Sequence, residues 1–191
     1  GRIEKTISNQ IYKMNIGLLT KLPSKIEKLI KEFTPSAKII SKKLAQANAC
    51  YFIGRNIAYP IALEGSLKLK EISYMHSEGF PGGEMKHGPI ALIDKDTITV
   101  CLIPKNDLFE KSVSNAQEIS ARNGKIIILS SVRNISKING EIKVINMPKE
   151  NIIDTPFIYT VPLQLISYYF ALYEGTDIDQ PRNLAKSVTV E

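Results

Sequence analysis

Over the first forty-odd residues, apolar side chains recur every three or four positions, the spacing of one helix face. "QIYKMNIGLL" carries such a stripe. Pro23 interrupts it, and Ser24 with Glu27 forms a capping box that predicts a fresh helix over "KIEKLIKEF". Thr34 and Pro35 then open a further short helix, "SAKIISKKLAQA". From about residue 48 the pattern changes. Four short, continuously apolar runs, "CYFIG", "TITVCLI", "KIIILSS" and "EIKVINMP", predict buried strands. Between them lie a long helix from about Asn56 to His76, a loop broken by Gly79, Pro81, Gly82 and Gly83, and an amphipathic helix, "DLFEKSVSNAQEISARNG", closed by Gly124. A strongly apolar helix, "TPFIYTVPLQLISYYFALYEG", follows, with Pro156 in its first turn and a kink expected at Pro162.

Strands alternating with helices predict an α/β fold, a three-layer α-β-α sandwich whose parallel sheet is flanked by helices on both faces. The expected organisation is a single domain over 1–191, with a helical lead-in to about 47, a sheet–helix body from about 48 to 175, and an aperiodic tail over 176–191. Ligands of such sheets bind beyond the carboxyl ends of the strands. Gly54, Pro104 and Ser130 mark those ends.

Composition removes several function classes. The 191 residues are 43% hydrophobic and 23% charged, enough apolar material for a core. No apolar run of about 18 residues exists, so no membrane partner is expected. The net charge is +6, but the lysines are scattered and not interleaved with aromatics, so no nucleic-acid partner is expected; an anionic small substrate fits the excess. Cys50 and Cys101 sit in apolar strand-like runs without a second ligand nearby, and read as buried thiols of a reducing compartment, with no metal site. The chain opens on Gly1 and not Met, which suggests a piece of a longer protein.

The titratable groups concentrate in "EGSLKLKEISYMHSEGFPGGEMKHGP", which holds both histidines. Glu64, Lys68 and Glu71 stand at i, i+4 and i+7, on one helix face. Leu63, Leu67, Leu69 and Ile72 point elsewhere, so much of this helix is expected to be buried. One account of the charged face is an ordinary Glu64–Lys68 pair supporting the helix. The other is a carboxylate base whose neighbouring cation and second acid set its state, at the functional edge of the sheet. His87 follows the glycine-rich turn; its pKa range suits proton transfer, as would that of any histidine.

"ALEGSLKLKEISYMHSEGFPGGEMKHGPIALID", "FIYTVPLQL" and the terminal "DQPRNLAKSVTVE" closely resemble the corresponding stretches of the isomerising glutamine:fructose-6-phosphate aminotransferase family, and the similarity runs over nearly all 191 residues. That family carries a glutaminase domain followed by two sugar-isomerase (SIS) halves, and this chain resembles the second half. The resemblance implies a cytoplasmic, homodimeric enzyme without cofactor that converts fructose 6-phosphate to glucosamine 6-phosphate with ammonia from glutamine. It implies Glu71 as the base moving a proton between C1 and C2, Lys186 as the amine that captures the open-chain ketone, and His87, supplied by the neighbouring subunit of a dimer, as the ring-opening group. Glu64 and Lys68 match the polar neighbours of the base, and Ala185 a main-chain contact to the sugar. Neither cysteine matches the glutaminase nucleophile, and the isolated piece is expected to be inactive.

SIS domains commonly grip phosphate in a Ser/Thr-rich loop after a strand. "CLIPKNDLFE" offers Asp107 and Glu110 instead, and "LSSVRN", with Ser130, Ser131 and Arg133, is a weaker candidate. The phosphate is therefore expected to be held by the other SIS half. The competing function is a non-catalytic sugar-phosphate-binding SIS module, which would not need Glu71 and Lys186 together.

Overall fold

The computed structural model describes residues 4–135, 138–140 and 142–184, with residue 142 by its backbone only. In chain order it forms α1 (Asn9–Leu44), β1 (Ala49–Gly54), α2 (Ala58–Ser73), β2 (Ser77–Pro81), two 3₁₀ turns (Gly82–His87 and Pro89–Leu92), β3 (Thr97–Leu102), α3 (Phe109–Ser120), β4 (Lys125–Ser130), β5 (Ile142–Asn146) and α4 (Thr155–Glu174). The five strands form one parallel sheet in the order β2-β1-β3-β4-β5. β1 and β3 are buried at every position, as the continuously apolar runs require. The expected α-β-α sandwich is present.

Two cores flank the sheet. Cys50, Phe52, Val100 and Leu129 face α1, α2 and α4. Tyr51, Ile53, Cys101 and Ile128 face α3 and the 3₁₀ turns, through Val113, Ala116, Ile119 and Met85. Gly65 of α2 lets α4 approach closely: a Cβ there would stand 2.5 Å from Leu163 Cδ1. Both cysteines are free and buried, and burial pushes their thiols well above the usual range.

The structure corrects the sequence reading in four places. The lead-in is one 36-residue helix with Pro23 and Pro35 inside it. Its buried stripe, Leu22, Leu29, Phe33, Ala37, Ile40 and Leu44, keeps helical phase through Pro35, and packing on α4 outweighs the missing amide bonds. Ser24 does not cap a helix; its hydroxyl donates back to the Lys21 carbonyl (3.0 Å), and the N-cap is Ser8, which accepts from the Ile11 N–H (3.2 Å). The glycine-rich loop contains β2, an edge strand whose short side chains gave no apolar run. α3 is closed by Asn123 in the left-handed region (φ 63°) and not by Gly124, which is glycine because a Cβ would meet Ile93 and Ile119.

Candidate active site

α2 runs antiparallel to β1, so its last turn lies beside the amino ends of the strands. The His76 carbonyl accepts from the Cys50 N–H (3.0 Å), and Ser77 pairs with Cys50 at the start of β1. Glu71 stands two residues before the end of α2 and so belongs to the amino edge of the sheet, not the carboxyl edge expected from strand polarity. Lys68 Nζ donates to Glu71 Oε2 at 2.7 Å, an i,i+3 bond. The expected Glu64–Lys68 partnership is replaced by this one; Glu64 acts on Lys68 through its charge alone. The bond to Glu71, opposed by burial and reinforced by both acids' charges, raises the Lys68 pKa and keeps the ammonium protonated. The three residues thus share a face, as their spacing requires. Leu63 and Leu67 beside them are 41% and 43% exposed, against expectation, because α2 turns its small residues, Ala62, Gly65 and Ser66, to the core.

Three contacts invisible in the sequence strap the following chain to this end of α2. Tyr74 caps the helix in the left-handed region (φ 60°). Its hydroxyl accepts from the Arg182 N–H (2.9 Å), and the Arg182 guanidinium lies 4.1 Å from the centre of its ring. The Thr176 hydroxyl donates to the Ile72 carbonyl (2.6 Å). Residues 176–184 therefore return to the helix end that carries Glu71. Ala185 and Lys186 lie outside the described residues.

His87 is not brought to Glu71. It ends the first 3₁₀ turn, is exposed, and lies 4.0 Å from the Glu84 carboxylate. Its neighbours Met85 and Lys86 tie the turn to the α3 side of the sheet, Met85 in that core and Lys86 in a 2.9 Å ion pair with Glu118. α2 packs on the other face. Arg55, which the sequence reading did not single out, fixes the start of the turn: its Nε donates to Asn115 Oδ1 (2.8 Å), and its guanidinium covers Gly82 and Gly83, where Cβ atoms would meet Asn115 and Arg55.

At the carboxyl edge, the place of a phosphate loop is taken by the protein's own anion. Glu150 Oε1 accepts from the Lys105 N–H (2.8 Å) and the Ser131 hydroxyl (2.8 Å). Ser130 is buried, its oxygen accepting from the Val132 N–H (3.1 Å). A carboxylate seated on these donors repels a second anion at the same place.

A parallel five-stranded sheet between helical layers, with an acid–lysine pair late in the helix after its first strand, defines the class. The SIS domain model matches residues 43–173. The chain is 52% identical over 149 residues to a glutamine–fructose-6-phosphate aminotransferase [isomerizing] of Sphingobium yanoikuyae, a match covering 78% of the chain and 96% of that protein. It is 45% identical over its whole length to the protein of the same name from Haemophilus influenzae, of which it covers 31%. The C-terminal domain of glucosamine-fructose-6-phosphate aminotransferase from Francisella tularensis superposes with a TM-score of 0.88 at 35% identity, covering 94% of the chain and 50% of that structure. The chain belongs to the SIS-domain family of isomerising glutamine–fructose-6-phosphate aminotransferases. It spans about a third of the length of the Haemophilus relative. Tagatose-6-phosphate ketose/aldose isomerase from Escherichia coli, at 16% identity and a TM-score of 0.69, shares the fold.

Proposed function

We propose that this chain is the isomerase half-domain of a cytoplasmic, homodimeric aminotransferase that converts fructose 6-phosphate to glucosamine 6-phosphate with ammonia from glutamine, and that it works without a cofactor. Glu71 moves the proton between C1 and C2, Lys186 captures the open-chain ketone at C2 as an imine, and His87 opens the ring. Glu64 and Lys68 flank the base, and the Ala185 main chain contacts the sugar. The observation that carries this reading is the Lys68–Glu71 bond on the last turns of the helix to which the tail is strapped. A rigid helix holds the carboxylate where it can reach two adjacent carbons on one face of a planar enediol. Lys186 follows Arg182 by four residues, so covalent geometry keeps the two Cα atoms within about 14 Å.

Two features support the assembly. His87 and Glu71 belong to opposite faces of the sheet, which favours a site built from Glu71 of one chain and His87 of a second copy. Glu150 seated at the carboxyl edge favours a phosphate grip elsewhere in the longer parent protein. Replacing Glu71 by Gln in that parent tests the reading. The near-isosteric amide cannot take the proton, so turnover drops about 10²–10⁴-fold while the melting temperature is unchanged. Near-normal turnover would reduce Glu71 to a structural partner of Lys68.

A further inference from the structure

A cleft lies away from α2, between the middle of α1 and the edge strand β5. It encloses about 640 Å³. Four cationic side chains, Lys25, Lys28, Arg133 and Lys143, line it with one carboxylate, Glu32, while Asp154 behind Lys25 offsets a second charge. They come from three separate parts of the chain, and the fold gathers them. Lys28 and Glu32 are 3.7 Å apart on the exposed surface of α1, a weak and screened pair. Lys25 is held rigidly at the rim, its Nζ donating to the Lys149 carbonyl and to Asp154 Oδ2, each at 2.6 Å. Arg133 and Lys143 have no carboxylate within ion-pair distance among the described residues.

Lys143 occupies a position where an apolar residue is expected. On β5, side chains alternate, and Ile145, on the same side as Lys143, enters the core with α1 and α4, as does Met147 just past the strand. An inward lysine on an edge strand discourages pairing with another sheet, and that alone would account for one cation. It does not account for three more converging on the same hollow, over a floor that includes Leu29 and Phe33. Burial, with the nearby charge of Lys43, lowers the Lys143 pKa, so the ammonium is held at a cost that an incoming anion would offset.

We propose that this cleft is a binding site for a phosphate-bearing anion with two or more negative charges. Arg133 supplies the planar fork that grips phosphate oxygens in pairs, Lys28 and Lys143 neutralise the charge, and Lys25 fixes the rim. The volume is that of a small-molecule site. The cleft belongs to α1 and β5, whereas the proposed catalytic residues belong to α2, the turn after β2 and the tail. Binding here is therefore independent of the isomerase reading.

Inorganic pyrophosphate is the probe, with sodium sulfate at matched ionic strength as the control for screening. Thermal melting of the 191-residue chain should rise by about 2–4 °C at saturating pyrophosphate, and clearly less in sulfate. The Arg133→Ala/Lys143→Ala variant should melt at or above the unsubstituted chain without ligand, because it removes an inward charge, and should lose the pyrophosphate shift. Lys28→Ala, a separate and exposed change, should weaken the shift without altering the unliganded midpoint. Equal shifts in pyrophosphate and sulfate would overturn the proposal, as would a pyrophosphate shift unaffected by these substitutions, or none in the unsubstituted chain.

Discussion

Single residues show how far spacing carries. Glu64, Lys68 and Glu71 were legible as one charged face from their i, i+4, i+7 positions, and the structure puts them there. Which acid Lys68 selects was not legible, since both lie within side-chain reach and the choice of Glu71 depends on rotamers. Lys143 illustrates the converse: within "EIKVINMP" its inward orientation follows strand alternation, but only the neighbouring α1 shows what it faces. Lys143→Met should therefore stabilise the fold at neutral pH. Its folded pKa is lowered below the unfolded value, so the charged form costs stability at every pH below the folded pKa, and the cost fades as pH rises through the unfolded pKa. Melting curves at pH 7 and pH 11 should show the variant's advantage shrinking at the higher pH. An advantage that grows with pH would refute the account.

Elements were legible where one period dominated. The four apolar runs became β1, β3, β4 and β5, because burial on both sides of a parallel sheet leaves an unambiguous signature, and the three helices expected between and after them appear as α2, α3 and α4. α1 is not legible as one helix, because Pro23 and Pro35 are strong local breakers while its buried stripe is spread over several turns. Pro23 and Pro35 are both exposed, so they contribute no packing while each removes an amide hydrogen bond. Pro23→Ala should raise stability by about 2 kcal/mol, the helix gain less the loosening of the unfolded chain, read as a higher denaturant midpoint. A midpoint that falls would mean that α1 uses the bend. β2 was missed because a strand of Ser, Glu, Gly, Phe and Pro is defined by its pairing with β1 and not by its composition. The tail strap was beyond reach for the same reason: Tyr74 and Arg182 are 108 residues apart. Tyr74→Phe keeps the ring and the cap but loses the hydroxyl acceptor. On the proposed function, it should raise the parent's KM for fructose 6-phosphate severalfold at unchanged melting temperature, and an unchanged KM would detach the strap from substrate binding.

At the scale of the whole molecule, fold class and family were legible from alternation and from long matching segments, and the resemblance implied that His87 serves a neighbouring subunit; composition and spacing alone do not show how His87 and Glu71 are related in space. Only the layering shows that the sheet stands between the turn and α2. Co-expressing parents that carry Glu71→Gln and His87→Ala tests the shared site. Mixed dimers then hold one site with both lesions and one with neither, so random mixing restores about a quarter of all sites. Activity no greater than that of the separate variants would place both groups in one chain.

The same layering bears on how the parent behaves when it is scarce. On the proposed shared site, a lone protomer folds but holds no complete site. Specific activity should therefore decline on dilution below the dimer dissociation constant, while the circular dichroism of each protomer stays native. In a cell, output would then scale more steeply than linearly with the amount of enzyme made, so that modest changes in synthesis near that threshold act as a dial on amino-sugar production.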